Sequence, residues 1–315
     1  MSAELLEPFV FRIDELEDLA KRRRDDYLTG RPFPYVVIDD FLPLPYADRI
    51  LEVFPDQDSP IWLDWKKRDV VHQPRKQGIG HASRLADVSP YLQNMLLAFN
   101  SYPFLNFLEK LTGIEKLLPD PHFHGGGLHQ ILSGGELAIH ADSNDLIQLD
   151  VYRRLNILLY LNKDWRPEYR GDLELWDENL QRSEKSIPPI FNRLVVFGTN
   201  KKTFHGHPAP LNTPPEVTRK SIALYYYTAK PAPDEKYDTV INWKGSADNK
   251  PEIETMSRKA GMFLIFAVLA FVIAGLRFVP QVLISRDVAD FAGGLGFGLL
   301  IGVLVTWTGE TDAIN

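Results

Sequence analysis

The sequence predicts an α+β fold: a jelly-roll (double-stranded β-helix) core with flanking N-terminal helices, followed by a transmembrane helical hairpin. Three observations carry this expectation. Apolar residues recur at helical spacing near the start, at Phe11, Ile13, Leu16 and Leu19. From Gly127 onward, short β-branched and aromatic runs follow one another between Gly, Asn, Asp and Pro clusters. After Arg258-Lys259 come 17 residues without a charge, and after Asp290 another 19.

Residues 1–32 form an N-terminal helical segment, with its helix over 1–28. The main domain occupies 33–230. Within it Pro34 to Phe41 (PYVVIDDF) reads as a strand and Tyr46 to Phe54 as a helix; Pro90 to Thr112 reads as one further helix, ended by Gly113. Residues 55–89 are polar and loop-like, carrying two exposed-looking aromatics, Trp62 and Trp65. The runs LHQIL, LAIHAD, RLNILLYLN, DLELWD, RLVVFGT and SIALYYYT are strand signals, and so many short strands suggest a sandwich or barrel. Residues 231–258 read as a polar, Pro-containing linker, and 259–315 as a two-helix membrane anchor.

Composition narrows the chemistry. A net charge of −7 argues against a nucleic-acid partner, because phosphate binding needs a basic face. The one dense basic run, Lys21 to Arg24, is flanked by acids and reads as a solvated helix face. With no cysteine, disulfides, thiolate metal sites and cysteine nucleophiles drop out. A transition metal would have to be held by imidazole and carboxylate. The acidic opening of the chain lacks the basic start and apolar run of a secretory signal.

Such a donor set is present. His140 and Asp142 are two apart on a strand, so both side chains face the same way. An HxD pair by itself is a weak signal. His205, after the RLVVFGT strand, supplies a third donor 65 residues on. Two imidazoles and one carboxylate on one face leave the opposite positions of an octahedral metal open. His207 is a rival for that place; His205 is preferred because His207 precedes Pro208 and reads as already in the PAPLNTPP loop, on the substrate side. Arg219 follows His205 by 14 residues and opens a strand, with Ser221 on the same strand face. A guanidinium there suits a carboxylate, which it can grip through two parallel hydrogen bonds.

HxD, distal His and RxS in this order resemble the 2-oxoglutarate/Fe(II) dioxygenase superfamily, in its prolyl-4-hydroxylase-like branch. YVVIDDFLP, GGGLHQILSGGELAIHAD, RRLNILLYLN and RGDLELWD extend the likeness over about residues 33–230. The resemblance implies Fe(II) on His140, Asp142 and His205, 2-oxoglutarate held by Arg219 with Ser221, and O2 as the oxidant. An aliphatic carbon of a peptidyl-prolyl or other organic substrate would be hydroxylated, and 2-oxoglutarate would leave as succinate and CO2. Ascorbate dependence is a family expectation. Carried over by position, Gln130, Asn156 and Tyr160 are candidate co-substrate residues, with packing an equal reading for each. Ser143 stands where many relatives have an aromatic, and Arg170-Gly171 replaces a usual Gly-Gly; both bear on the pocket wall. Trp62 and Trp65 are candidates for a substrate flap, or for packing of a loop over the barrel.

Two rival readings are weaker. His122, His124 and His129 form a second histidine group, but Glu136 lies too far from His124 for a cupin-type site. A non-catalytic jelly-roll module that binds metal or a small acid is the alternative function; it would not need an open metal face. Residues 260–309 are expected to contact a lipid bilayer, each run being close to the hydrocarbon thickness. Gly294, Gly298 and Gly302 make a small-residue stripe for helix pairing, and Trp307 falls near an interface. Because Fe(II) and 2-oxoglutarate are cytosolic, the catalytic domain is expected in the cytoplasm, in a bacterial inner-membrane setting.

Overall fold

The computed structural model describes residues 11–64, 71–80, 82–146, 149–233 and 241–244. Two antiparallel sheets form its centre. The larger contains β1 (Tyr35–Ile38), β2 (Leu63–Asp64), β3 (Lys76–Ile79), β5 (Gly127–Ile131), β8 (Val151–Tyr160), β11 (Arg193–Gly198) and β13 (Arg219–Thr228). Their order is β1-β11-β8-β13-β5-β3-β2, with the short β4 (Leu118–Pro119) beside β13 and β7 (Asp145–Leu146) beside β8. The smaller sheet runs β10 (Ser183–Ile187), β9 (Leu173–Trp176), β12 (His205–His207), β6 (Leu137–Ala141) and β14 (Asn242–Trp243). From β5 to β13 the chain passes repeatedly between the sheets, so that non-consecutive strands become neighbours. This is the expected jelly-roll winding.

Strand alternation divides the larger sheet into two faces. One face carries Leu155, Ile157 and Leu159 of β8 with Ile222, Leu224 and Tyr226 of β13, all packed into the main core with the helices. The helices are α1 (Ile13–Thr29), α2 (Leu44–Glu52), α3 (Ala82–Val88), α4 (Pro90–Phe99) and α5 (Tyr102–Thr112). Phe11, Phe41, Phe99 and Phe104 interlock there, their ring centroids 4.9–6.3 Å apart. The other face meets the smaller sheet through Tyr160, Val195 and Phe197 against Leu173, Leu175 and Ile187. Toward one end of this interface the apolar packing gives way to a cavity.

The structure departs from the sequence expectations in several places. The helix expected over 90–112 is two, because Pro103 is accommodated only in the first turn of a new helix; Asn100 ends the first and Ser101 starts the second. Gly113 closes the second at φ 77°, as expected. The stretch 55–89 is not simply a loop. β3 pairs with β5 from Lys76↔Ile131 to Ile79↔Leu128, and α3 follows. A KQGI strand has no hydrophobic alternation of its own; its neighbour β5 supplies the edge that orders it. Within the stretch expected to be a linker, Asn242 and Trp243 pair with Ala141 and His140 of β6. Both uncharged C-terminal runs, and Trp65, lie outside the described residues. Among the described residues no helix is long and apolar enough to cross a membrane.

Candidate metal and co-substrate site

β6 and β12 bring the three metal-binding candidates together. His205 lies directly opposite His140 in the antiparallel pairing, and the two rings are 4.5 Å apart between centroids. Asp142 follows two residues after His140, on the same side. Its carboxylate oxygens lie 3.4 Å from His140 Nε2 and 3.6 Å from His205 Nε2. One ligand atom from each residue falls within 4.8 Å of the others.

The imidazoles are oriented for metal. His140 Nδ1 sits 2.9 Å from the Ala138 carbonyl, and His205 Nδ1 sits 3.0 Å from the Thr203 carbonyl. Each carbonyl accepts a hydrogen bond from the Nδ1–H, which leaves the Nε2 lone pair directed at Asp142, where a cation would lie. Burial, helped by the neighbouring His140, lowers the His205 pKa to about 4 against the opposing pull of Asp142, so this ring is neutral at pH 7. Burial alone would push the Asp142 carboxyl up. Arg153 and the two imidazoles outweigh it and hold the carboxyl well below its ordinary range. Two imidazole nitrogens and one carboxylate, in a chain without thiolates, fit iron(II).

Two residues position Asp142. Asn156 Nδ2 donates to Oδ2, and Asn156 Oδ1 accepts from the Thr199 hydroxyl at 3.2 Å. Arg153 Nη1 lies 3.3 Å from Oδ2, and its guanidinium sits 3.9 Å above the Tyr225 ring. The sequence reading missed Arg153, and the reason is a β-bulge. Tyr226 pairs with Leu155 but the adjacent Tyr227 pairs with Arg153, so Arg154 is the extra residue. Undisturbed alternation from Asn156 would have turned Arg154 inward instead.

A cavity of about 390 Å³ opens over the three residues. Arg219 and Ser221 line it, as do Asn156, Ser143 and His207. Arg219 is 5% exposed, so its charge is held inside the protein. Its Nε donates to the Gly171 carbonyl at 2.7 Å and Nη2 to the Tyr160 hydroxyl at 3.1 Å, which, among the described residues, leaves Nη1 and the second Nη2 hydrogen for a ligand. That remaining pair of parallel donors matches a carboxylate. Gly171 sits at φ 77°, and a Cβ there would collide with Leu211 Cδ2 and crowd Arg219 Cδ at 3.2 Å, so a residue without a side chain is needed beside the arginine stem. Ten heavy atoms of 2-oxoglutarate fill only part of such a volume, leaving space for a second ligand.

Some candidates lie elsewhere. Tyr160 is buried behind Arg219 and is not among the residues lining the cavity. Gln130 points to the opposite face of β5. It donates to Gln77 at 2.6 Å and accepts from Thr218 at 2.9 Å, while its neighbours His129 and Ile131 face the cavity. Register decides this: Arg219 pairs with Ile131 and Ser221 with His129. Trp62 is a buried core residue, not a flap. Its indole N–H donates to the Asp56 carbonyl at 2.7 Å, and its ring packs on Phe54. His207 belongs to β12 and not to the following loop. Of the second histidine group, His124 leans on Asp120 at 3.0 Å, consistent with an ordinary side-chain contact. Trp243 was not foreseen at the site; it lines the cavity and lies 4.8 Å from the His140 ring.

An antiparallel jelly-roll holding two histidines and an aspartate below a buried arginine defines a class of metal-dependent enzyme folds. Comparison with known proteins is more specific: residues 126–227 match the model of the 2OG-Fe(II) oxygenase superfamily. A curated relative, the prolyl 3-hydroxylase OGFOD1 of Mus musculus, is 35% identical over 79 residues, covering 24% of this chain and 14% of its own. The match therefore spans a small part of that protein's length. Among solved structures, a Trichoplax adhaerens prolyl hydroxylase in complex with a hypoxia inducible factor peptide aligns over 68% of this chain and 91% of its own, with 17% identity and a TM-score of 0.49. HygX from Streptomyces hygroscopicus, with nickel and 2-oxoglutarate bound, aligns over 68% and 94% with 13% identity and a TM-score of 0.43.

Proposed function

We propose that the chain is an Fe(II)- and 2-oxoglutarate-dependent dioxygenase that hydroxylates an aliphatic carbon. The observation that carries this reading is the meeting of His140, Asp142 and His205 within 4.8 Å, beside an inward-facing Arg219. Iron, when bound, would couple decarboxylation of 2-oxoglutarate to succinate and CO2 with O2-dependent hydroxylation. The protein's part is placement. His140, Asp142 and His205 would hold the cation through one ligand atom each. Arg219 neutralises the distal carboxylate of the co-substrate and so sets the direction in which the molecule lies. Leu158, Leu173 and Phe197 line the same cavity and exclude water from the reacting centre. No side chain has to act as a general base.

Peptidyl-proline is the substrate class we favour, on the likeness to the mouse prolyl 3-hydroxylase. We also propose that residues 260–309 tether the chain to a bilayer with its catalytic domain in the cytoplasm, as in a bacterial inner-membrane protein. The support is the length and lack of charge of the two runs.

The test is anaerobic titration of the full chain with Fe(II) and 2-oxoglutarate, followed by admission of O2 and measurement of succinate. A weak visible charge-transfer band and Fe(II)-dependent succinate are expected, both lost in His140→Ala. Ligand binding without O2-dependent succinate would leave only a binding module. For the tether, the chain is expected to stay in bacterial membranes through an alkaline carbonate wash; its release would refute that part.

A further inference from the structure

His207 is left unexplained by the site as described so far. It is 2% exposed, it lines the cavity, and among the described residues neither ring nitrogen has a hydrogen-bond partner. An imidazole in either protonation state carries at least one N–H donor. Buried polar groups in folded proteins are almost always paired, so an orphaned ring facing a cavity points to what the cavity receives. The surroundings say what that is. His207 sits opposite Leu137 on β6, past an irregularity that sets one residue of β12, Gly206, against two of β6, Ala138 and Ile139. Gly206 makes this possible, since a Cβ there would meet the Leu137 and Ala138 carbonyls at 2.7 and 2.8 Å. Across the cavity, Arg219, Ile131 and Lys76 form one cross-strand row on the larger sheet. Two cations in that row, both lining the cavity, favour an anionic oxygen there.

We infer that His207 donates a hydrogen bond to the distal carboxylate of the bound diacid and fixes its orientation together with Arg219. The inference rests on the oxygenase reading. A carboxylate offers about four lone-pair positions. The free guanidinium edge takes two and the Ser221 hydroxyl can take a third, which leaves one for His207. His207 is thus a positioning residue for the co-substrate, and it does not ligate the metal.

The test is calorimetric titration of the full chain, loaded with Mn(II) under anaerobic conditions, using 2-oxoglutarate and pyruvate. Pyruvate keeps the chelating oxo-acid end and lacks the distal carboxylate. His207→Leu is expected to weaken 2-oxoglutarate binding by about tenfold or more while leaving pyruvate affinity unchanged, and His207→Gln, which keeps a donor, to recover part of the loss. Unchanged 2-oxoglutarate affinity in His207→Leu would overturn the inference. So would equal weakening of both ligands, which would place the effect at the metal end. If the unsubstituted chain binds 2-oxoglutarate no better than pyruvate, or if Arg219→Met leaves 2-oxoglutarate affinity unchanged, the co-substrate reading itself fails.

Discussion

Replacing Arg153 by methionine removes the cation beside Asp142 while keeping an apolar stem against Tyr225. Arg153 Nη1 is 3.3 Å from Asp142 Oδ2, and both side chains are 11% exposed. At that separation a pair of unit charges interacts by about 5 kcal/mol with an effective dielectric constant of ~20. Stranding one member of a buried pair typically costs about 3–5 kcal/mol. Asn156 still donates to the same oxygen, so a loss of about 3 kcal/mol is expected in the metal-free protein. A divalent cation on Asp142 supplies the missing positive charge, so the metal-loaded protein should lose far less. By linkage the variant must then bind metal more tightly. The assay is denaturant unfolding with and without Mn(II). Arg153→Met should lower the stability of the metal-free protein and enlarge the stabilisation gained from metal by about 1–3 kcal/mol, or roughly tenfold to a hundredfold in affinity. An equal or smaller gain than in the unsubstituted chain would refute the argument that Arg153 stands in electrostatically for the cation.

Two further expectations follow from the same physics. Asn192, 1% exposed, accepts from the Leu42 N–H at 2.9 Å and donates to the Leu42 carbonyl at 2.7 Å, bridging 150 residues of sequence. Asn192→Ala leaves both groups buried and unpaired and places alanine at φ 60°, so chemical denaturation should show a loss of roughly 3 kcal/mol. For pH, His205 is lowered from 6.5 to about 4 by folding, so between these values the unfolded chain binds the extra proton. Stability of the metal-free protein should therefore fall as pH drops from 6.5 toward 4, by on the order of 3 kcal/mol from this group, and level off below. His205→Leu should flatten that slope in equilibrium unfolding; an unchanged slope would assign it to other groups.

The legible part of the site was the part encoded by alternation within single strands. His140 and Asp142 share a face because they are two apart, and so do Arg219 and Ser221. Absence of cysteine confined any metal to nitrogen and oxygen donors. The jelly-roll was legible as a series of short strands punctuated by turns. Where two polar residues are adjacent in a strand, alternation gives no choice between them. His129 and Gln130 are such a pair, as are Arg153 and Arg154, and in both the inward member was settled by pairing with β13. Trp62 and β3 were illegible for a related reason, since a polar-looking stretch gave no sign that a core and a sheet edge awaited it.

The amino-acid order alone thus determined which donors the chain owns, on which strands they lie and how the apolar runs divide. Tertiary structure decided register: the bulge that turned Arg153 inward, the extension of β12 through His207, and the pairing of His205 with His140. Register depends on partners distant in sequence, and a shift of one residue sends every side chain of a strand to its opposite face.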